Sequence, residues 1–257
     1  MAPAINLNAD MGESTGGADI ARDLALLDHV TSASIACGFH AGDPEVMHRV
    51  VAAAAARGVS IGAHPGFHDR EGFGRREIRM SPAGIEHMVA YQIGALDGIA
   101  RLAASTITHV KPHGALYNMA AADSGYAMAI ARAIHALDRA LIFIVPPGSA
   151  MERAGRDLGL AIAREGFPDR AYDDNGHLVP RGVPGAVIKN PAAIAERALR
   201  MACDGEIVAA SGKRLKLAVD TLCIHGDEPC AVDNARAVRA ALDASAWSTV
   251  SLPTLLR

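Results

Sequence analysis

Four times in this chain a short apolar run breaks off at a histidine flanked by glycine or proline: SIACGFHAGDP at 34–44, IGAHPG at 61–66, VKPHG at 110–114 and CIHGD at 223–227. An apolar run of this length reads as a buried strand, and the glycine or proline after it lets the backbone turn sharply. In the first of them Asp43 suits a helix N-cap and Pro44 the first helical position. The unit therefore reads strand, functional turn, helix start. A chain that repeats it builds one site from several strand ends.

The remaining segments fit between these units. Residues 4–9 alternate Ile5 and Leu7 with Asn6 and Asn8 and run into Asp10, Gly12 and Glu13, which predicts a first strand with its acidic end exposed. Six more strands are expected at 30–37, 59–63, 107–111, 141–145, 160–164 and 214–224. Helices are expected at 20–29, 44–57 closed by Gly58, 82–104 opened by Ser81-Pro82, 123–137, 149–157, from Asn190-Pro191 onward, and 229–244. The stretch 166–189, with three prolines and four glycines, reads as an extended functional loop holding a hairpin. Strand and helix alternate seven times across mostly short connections, so a parallel sheet with helices outside it is expected. Because polar motifs follow nearly every strand, the sheet should close as an α/β fold of TIM-like, seven-stranded (β/α) barrel type, one domain over 1–257. The alternative, an open Rossmann-like sheet, lacks a G-x-G-x-x-G after its first strand.

Half the residues are hydrophobic but only 4% are aromatic, so alanine-rich helices can pack closely around a substantial core. A net charge of -3 without long charge runs argues against a nucleic-acid groove or a membrane-surface patch and leaves a small molecule as the expected partner. The first residues lack a basic segment followed by an apolar core, and no apolar stretch approaches the roughly 20 residues of a membrane span, so a cytoplasmic protein is expected. Four cysteines without a C-x-x-C pair make neither a disulfide framework nor a zinc motif, and Cys37 and Cys223 read as small core residues. The nearest approach to a P-loop, 205–213, has the wrong glycine spacing and Arg214 where Ser or Thr is needed.

The strand ends carry the chemistry. They supply Asp10 and Glu13, His40 and Asp43, His64 and Asp69, Lys111 and His113, Glu165 and Asp169, and His225 and Asp227. In a barrel these groups converge on one mouth. Histidines and carboxylates there can activate water, protonate a leaving nitrogen or hold a divalent metal. A metal site drawn from His40, His64, His113 or His225 with Asp10 is one option. Lys111 suits an oxyanion or a phosphate, or else a structural ion pair. Arg75 and Arg76 are either a solvated pair or an anion clamp. Asp43 and Asp227 also suit plain helix caps, and Asp169 with Arg170 a loop salt bridge. His29, His48, His87 and His135 form the background.

Together NLNADMGES, SASIACGFHAGDP, IGAHPGFHDREGFGRRE, YQIGAL, VKPHGALYN, EGFPDRAY with GHLVPR, and CIHGDEP resemble the LamB/YcsF lactam-utilisation family across almost the whole chain. The resemblance implies a barrel similar to the glycoside hydrolase and deacetylase group. It also implies a role in ATP-dependent hydrolysis of 5-oxo-L-proline (pyroglutamate) to L-glutamate. The implied partners are the 5-oxoprolinase subunits B and C, similar to allophanate-hydrolase-like proteins, with ATP bound with or by them. By the same carry-over Asp10, Glu13, His40, His64, Lys111, His113, Glu165 and His225 are catalytic, while Asn8, Asp43, Asp69, Arg75, Tyr117, Asp169, Arg170, Arg181 and Asp227 contact substrate. Three departures, Ser34 for Asn, His68 for Pro and Gly16-Gly17 for an aromatic-glycine pair, bear on substrate detail. Two other readings stay open: a stand-alone metal-dependent amidase or deacetylase, and a non-catalytic lactam-binding protein. Self-association into a homo-oligomer is a further option.

Overall fold

The structure is a computed structural model that describes residues 3–13, 17–227 and 229–256, with only the backbone of 17–19; Gly16 of the Gly16-Gly17 departure lies outside them. In chain order the strands are β1 (Ala4–Met11), β2 (Ser32–Ala36), β3 (Ser60–His64), β4 (Ile107–Val110), β5 (Ile142–Val145), β6 (Ile162–Gly166), β7 (Glu206–Val208), β8 (Arg214–Lys216), β9 (Thr221–Ile224) and β10 (Ser248–Thr249). The helices are α1 (Gly17–Leu26), α2 (Pro44–Ala56), α3 (Pro82–Leu102), α4 (Gly114–Ala122), α5 (Ser124–Leu137), α6 (Ala150–Asp157), α7 (Pro191–Leu199), α8 (Ala231–Ala244) and α9 (Leu252–Leu255). Strands β1 to β6 and then β9 pair in that order, all parallel, and β9 returns to β1 with Cys223 opposite Asn8. The sheet is thus the closed seven-stranded barrel that the alternation of elements predicts.

The period-two alternation of the strands sorts side chains between two buried faces. Ile5, Leu7, Ala9 and Met11 of β1 join the apolar core under the helices. Asn6, Asn8 and Asp10 face the barrel lumen and are also buried. The expected exposed acidic end of β1 is therefore wrong, because a polar residue on a barrel strand points inward rather than to water. Asn6 donates to Ser32 Oγ (2.7 Å) and accepts from Thr221 (2.6 Å), and Asn8 donates to Thr221 (2.6 Å), so the buried amides are satisfied across the lumen. Gly62 leaves room for the His109 ring, with which a Cβ at that position would collide.

Caps match the sequence signals. Asp43 accepts from Val46 N (2.9 Å), Ser81 from Gly84 N (3.1 Å) and Asn190 from Ala192 N (2.9 Å). Gly58, with φ 67°, ends α2. The expected strand at 214–224 divides in two: charged, largely exposed β8 forms an antiparallel hairpin with β7, and only fully buried β9 enters the barrel. Gly205 and Gly212, both with positive φ, belong to this hairpin region, which accounts for the glycines of the false P-loop. Helix α4 follows directly on Pro-His-Gly, where a turn alone was expected. Between β6 and α7 the chain makes isolated bridges, Arg170 with Val187 and Tyr172 with Leu178, in place of a regular hairpin. At the base of the barrel Ile142, Ile144 and Ala163 pack on Leu252 of α9, which plugs that end. Among the described residues no helix is long and apolar enough to cross a membrane.

Candidate active site at the barrel mouth

The C-terminal strand ends bring Glu13, His40, His64 and His113 together. Backbone carbonyls assign two tautomers. His64 donates through Nδ1 to Lys111 O (2.7 Å), and His113 through Nε2 to Phe73 O (2.8 Å). The remaining nitrogens, His64 Nε2 and His113 Nδ1, then face each other at 3.0 Å, with Glu13 Oε1 3.0 Å from His113 Nδ1 and 3.6 Å from His64 Nε2. His40 stacks on His113 with ring centroids 3.8 Å apart, and its Nε2 lies 3.0 Å from the same Glu13 oxygen. Three nitrogens and a carboxylate converge, and lone pairs that face each other require a cation between them. Burial pushes His64 down to about 3, and burial with the neighbouring His113 pushes His40 down to about 4, so these two rings stay neutral donors near neutral pH. The donor set suits a divalent metal, and each of His64 and His113 is oriented by a carbonyl as metal-bound histidines are. Gly74, with φ 63°, lets the loop backbone close on His40 and His113, where a Cβ would collide with the His40 Cβ and the His113 ring.

Beside this cluster lies a second, centred on Lys111. Its ammonium is buried and stands 2.7 Å from Asp10 Oδ1, 2.8 Å from Glu165 Oε1 and 2.9 Å from Cys223 Sγ. Burial opposes that charge, but Asp10, Cys223 and Glu165 outweigh it and hold the lysine well above its usual range. Burial likewise raises Asp10, yet His64 and Lys111 prevail and keep it ionised far below the carboxylate range. Glu165 moves the other way: burial pushes it up against the pull of Lys111. Tyr117 donates to Glu165 Oε2 (3.0 Å) and Asn8 to its Oε1 (3.2 Å). Asp10, Cys223 and His225 also lie close enough to hold an ion, but Lys111 already supplies the positive charge there. Glu13 is therefore the carboxylate that completes the three-histidine set.

On the far side, Asp169 accepts from His225 Nδ1 (2.8 Å) and from its backbone N–H (3.1 Å). This directs the other nitrogen, Nε2, away from Asp169, and the ring stacks on Phe167. Burial raises Asp169, but His225 lowers it further, so the pair is a charged carboxylate orienting an imidazole. At the rim Asp227 takes Arg75 at 2.6 Å and faces Arg181 at 3.9 Å.

Fourteen of the seventeen expected site residues thus gather at the mouth or its rim. Asp43 is the cap of α2. Asp69 holds its own loop through Gly72 N (3.0 Å) and Arg76, so Arg76 is half of a loop ion pair. Arg170 turns from Asp169 to the carbonyls of Val179 (2.7 Å) and Ala186 (3.3 Å). Three contributors carried no sequence signal of function: Cys223, read as core; Phe167, whose ring lies 5.3 Å from Lys111 Nζ; and the Phe73 carbonyl. Gln92 on α3 clamps the His64-Pro65-Gly66 turn, accepting from Gly66 N (3.0 Å) and donating to its carbonyl (2.9 Å). Its signal was a lone amide among the apolar positions of a helix.

The LamB/YcsF family model matches residues 5–257. The A subunit of a 5-oxoprolinase from Rhodopseudomonas palustris (strain BisB5) is 53% identical over 240 residues, 93% of this chain and 94% of that protein. The crystal structure of a lactam utilization protein from Thermus thermophilus superposes with a TM-score of 0.88 at 45% identity, covering 97% of this chain and 100% of that one. A T48 deacetylase solved with substrate shares the fold at 14% identity, covering 99% of this chain and 90% of that one, with a TM-score of 0.53.

Proposed function

Because the chain belongs to the LamB/YcsF family, we propose that it acts as the A subunit of an ATP-dependent 5-oxoprolinase, opening 5-oxo-L-proline to L-glutamate together with partner subunits B and C. The observation that carries this reading is that a buried, ion-paired ammonium, Lys111, and a carboxylate-oriented histidine, His225, flank the same Asp10 and Cys223 at one mouth. A five-membered lactam is a stable amide. Transfer of a phosphoryl group to its oxygen, ATP being bound with or by the partners, makes the ring carbon a good electrophile. Water then adds to that carbon, the ring C–N bond breaks with protonation of the nitrogen to leave an acyl phosphate, and a second water hydrolyses this to the carboxylate and phosphate.

His225 takes the proton of the attacking water at Nε2, while Asp169 holds the ring and stabilises the imidazolium that forms. Lys111, anchored by Asp10 and Glu165, neutralises the charge of the phosphoryl group carried by the former carbonyl oxygen. Glu13, His40, His64 and His113 would hold a divalent cation, which as a Lewis acid polarises a carbonyl or phosphoryl oxygen.

Glutamate formation from 5-oxo-L-proline should need ATP and the partner subunits. His225→Ala should lower kcat about 10²–10⁴-fold in the reconstituted complex. His40→Ala or His113→Ala should abolish ATP-coupled turnover; near-normal rates in both would refute the assignment. The four-donor cluster favours one second reading, a metal-dependent amidase working alone. Chelator-sensitive activity of the isolated chain without ATP would establish it instead.

A further inference from the structure

Asp227 is the only carboxylate the structure places against the Arg75 guanidinium by an ion pair among the described residues, and it reaches across the mouth to do so. Arg75 comes from the loop after β3, Arg181 from the loop after β6 and Asp227 from the loop after β9. One oxygen of Asp227 takes Arg75 (2.6 Å) and the other faces Arg181 (3.9 Å). Two guanidiniums converging on one carboxylate from separate loops is the arrangement by which proteins bind a ligand carboxylate.

The pair borders the groups of the mouth. Phe73, whose carbonyl orients His113, carries the Arg75 guanidinium on its ring at 4.8 Å. Asp227 follows His225-Gly226, and Gly226 lies so close to the Asp10 carbonyl that no side chain fits between them. The ion pair is also partly solvated: the side chains of Arg75 and Asp227 are 35% and 21% exposed, so water screens it and a ligand can exchange with it. The cationic character of the rim extends beneath it, where Arg170 is pushed down to about 10 by burial and then by Arg181.

We propose that Arg75 and Arg181 form a clamp for the carboxylate of a small anionic substrate, and that Asp227 fills the clamp as an internal surrogate until the substrate displaces it. That this substrate is the lactam acid rests on the function proposed above. The surrogate reduces apparent affinity by the fraction of time it occupies the clamp. It also keeps two guanidiniums from repelling each other when no ligand is bound.

Calorimetry with the purified chain tests this, using 5-oxo-L-proline and 2-pyrrolidinone, the same ring without a carboxylate. Asp227→Asn should bind 5-oxo-L-proline about tenfold more tightly than the parent if the surrogate occupies the clamp nine-tenths of the time, with 2-pyrrolidinone unchanged. Arg75→Ala should lose the preference for the acid over 2-pyrrolidinone, and Arg75→Lys should keep part of it. Unchanged or weaker binding of the acid by Asp227→Asn, or an intact preference in Arg75→Ala, overturns the clamp. If 5-oxo-L-proline binds none of the proteins, the lactam reading fails and succinate becomes the probe. The clamp then stands only if Asp227→Asn tightens succinate binding and Arg75→Ala weakens it.

Discussion

A buried histidine can be read in two ways, as a proton carrier or as a neutral donor, and the surroundings of His40 and His64 decide for the second. Both rings are buried, and their pKa values fall from 6.5 to about 4 and about 3. An unfolded chain takes up these protons below about pH 6.5, whereas the folded chain refuses them until pH reaches the lowered values. A lowered folded pKa gives stability that is full above pH 6.5 and is lost as pH falls through the window. Each histidine then costs on the order of 2 kcal/mol of stability at pH 5. Asp10 and Glu13, also lowered in the fold, act with the same sign further into acid. Chelator-treated protein should therefore show a falling Tm between pH 6.5 and 4.5, with a shallower slope in His40→Gln. A flat profile would mean that these rings titrate in the fold as they do in the unfolded chain.

At the scale of elements, two polar residues on neighbouring helices show how differently the same kind of group contributes. Asp43 is exposed and satisfies one backbone N–H at the start of α2, so Asp43→Ala should cost about 1 kcal/mol and leave the site intact. Gln92 lies inside α3, fully buried, and pairs with both backbone groups of Gly66. Gln92→Leu strands that N–H and that carbonyl, at about 1–3 kcal/mol for each group left unpaired. It also frees the turn that aims His64. Denaturant melts should show the larger loss in Gln92→Leu, and only that variant should also weaken metal binding. Greater damage from Asp43→Ala would contradict both roles.

The barrel as a whole has two unlike ends. Its mouth is lined by charges that satisfy each other, and its base is closed by apolar contact between Leu252 of α9 and the lumen residues Ile142, Ile144 and Ala163. The carbonyl of Val250 also accepts from Asn6 (2.8 Å) and Thr31 (2.9 Å), which ties the last turn to the polar layer above it. Leu252→Ala should remove about 2–5 kcal/mol of stability by opening a cavity at the base. With the mouth untouched, kcat should stay near that of the parent at temperatures where the protein is folded. Thermal melts paired with turnover measurements check both halves of this expectation.

Strand order, helix caps and the identity of most of the mouth were legible in the residues because each depends on local chemistry. Alternation places Ile5 and Leu7 on one face, Asp43-Pro44 starts a helix, and His40, His64, His113 and His225 mark strand ends. What the sequence could not decide is which of these groups meet. Glu13 rather than Asp10 completes the histidine set, Asp10 and Glu165 share Lys111, and Asp227 faces two arginines from other loops. Cys223 is the core residue it was read as, yet it also borders that ammonium, and the acidic end of β1 turned from a solvent face into a lumen. Local pattern sets the face on which a side chain emerges. Barrel closure, through the register between strands far apart in the chain, sets what it faces.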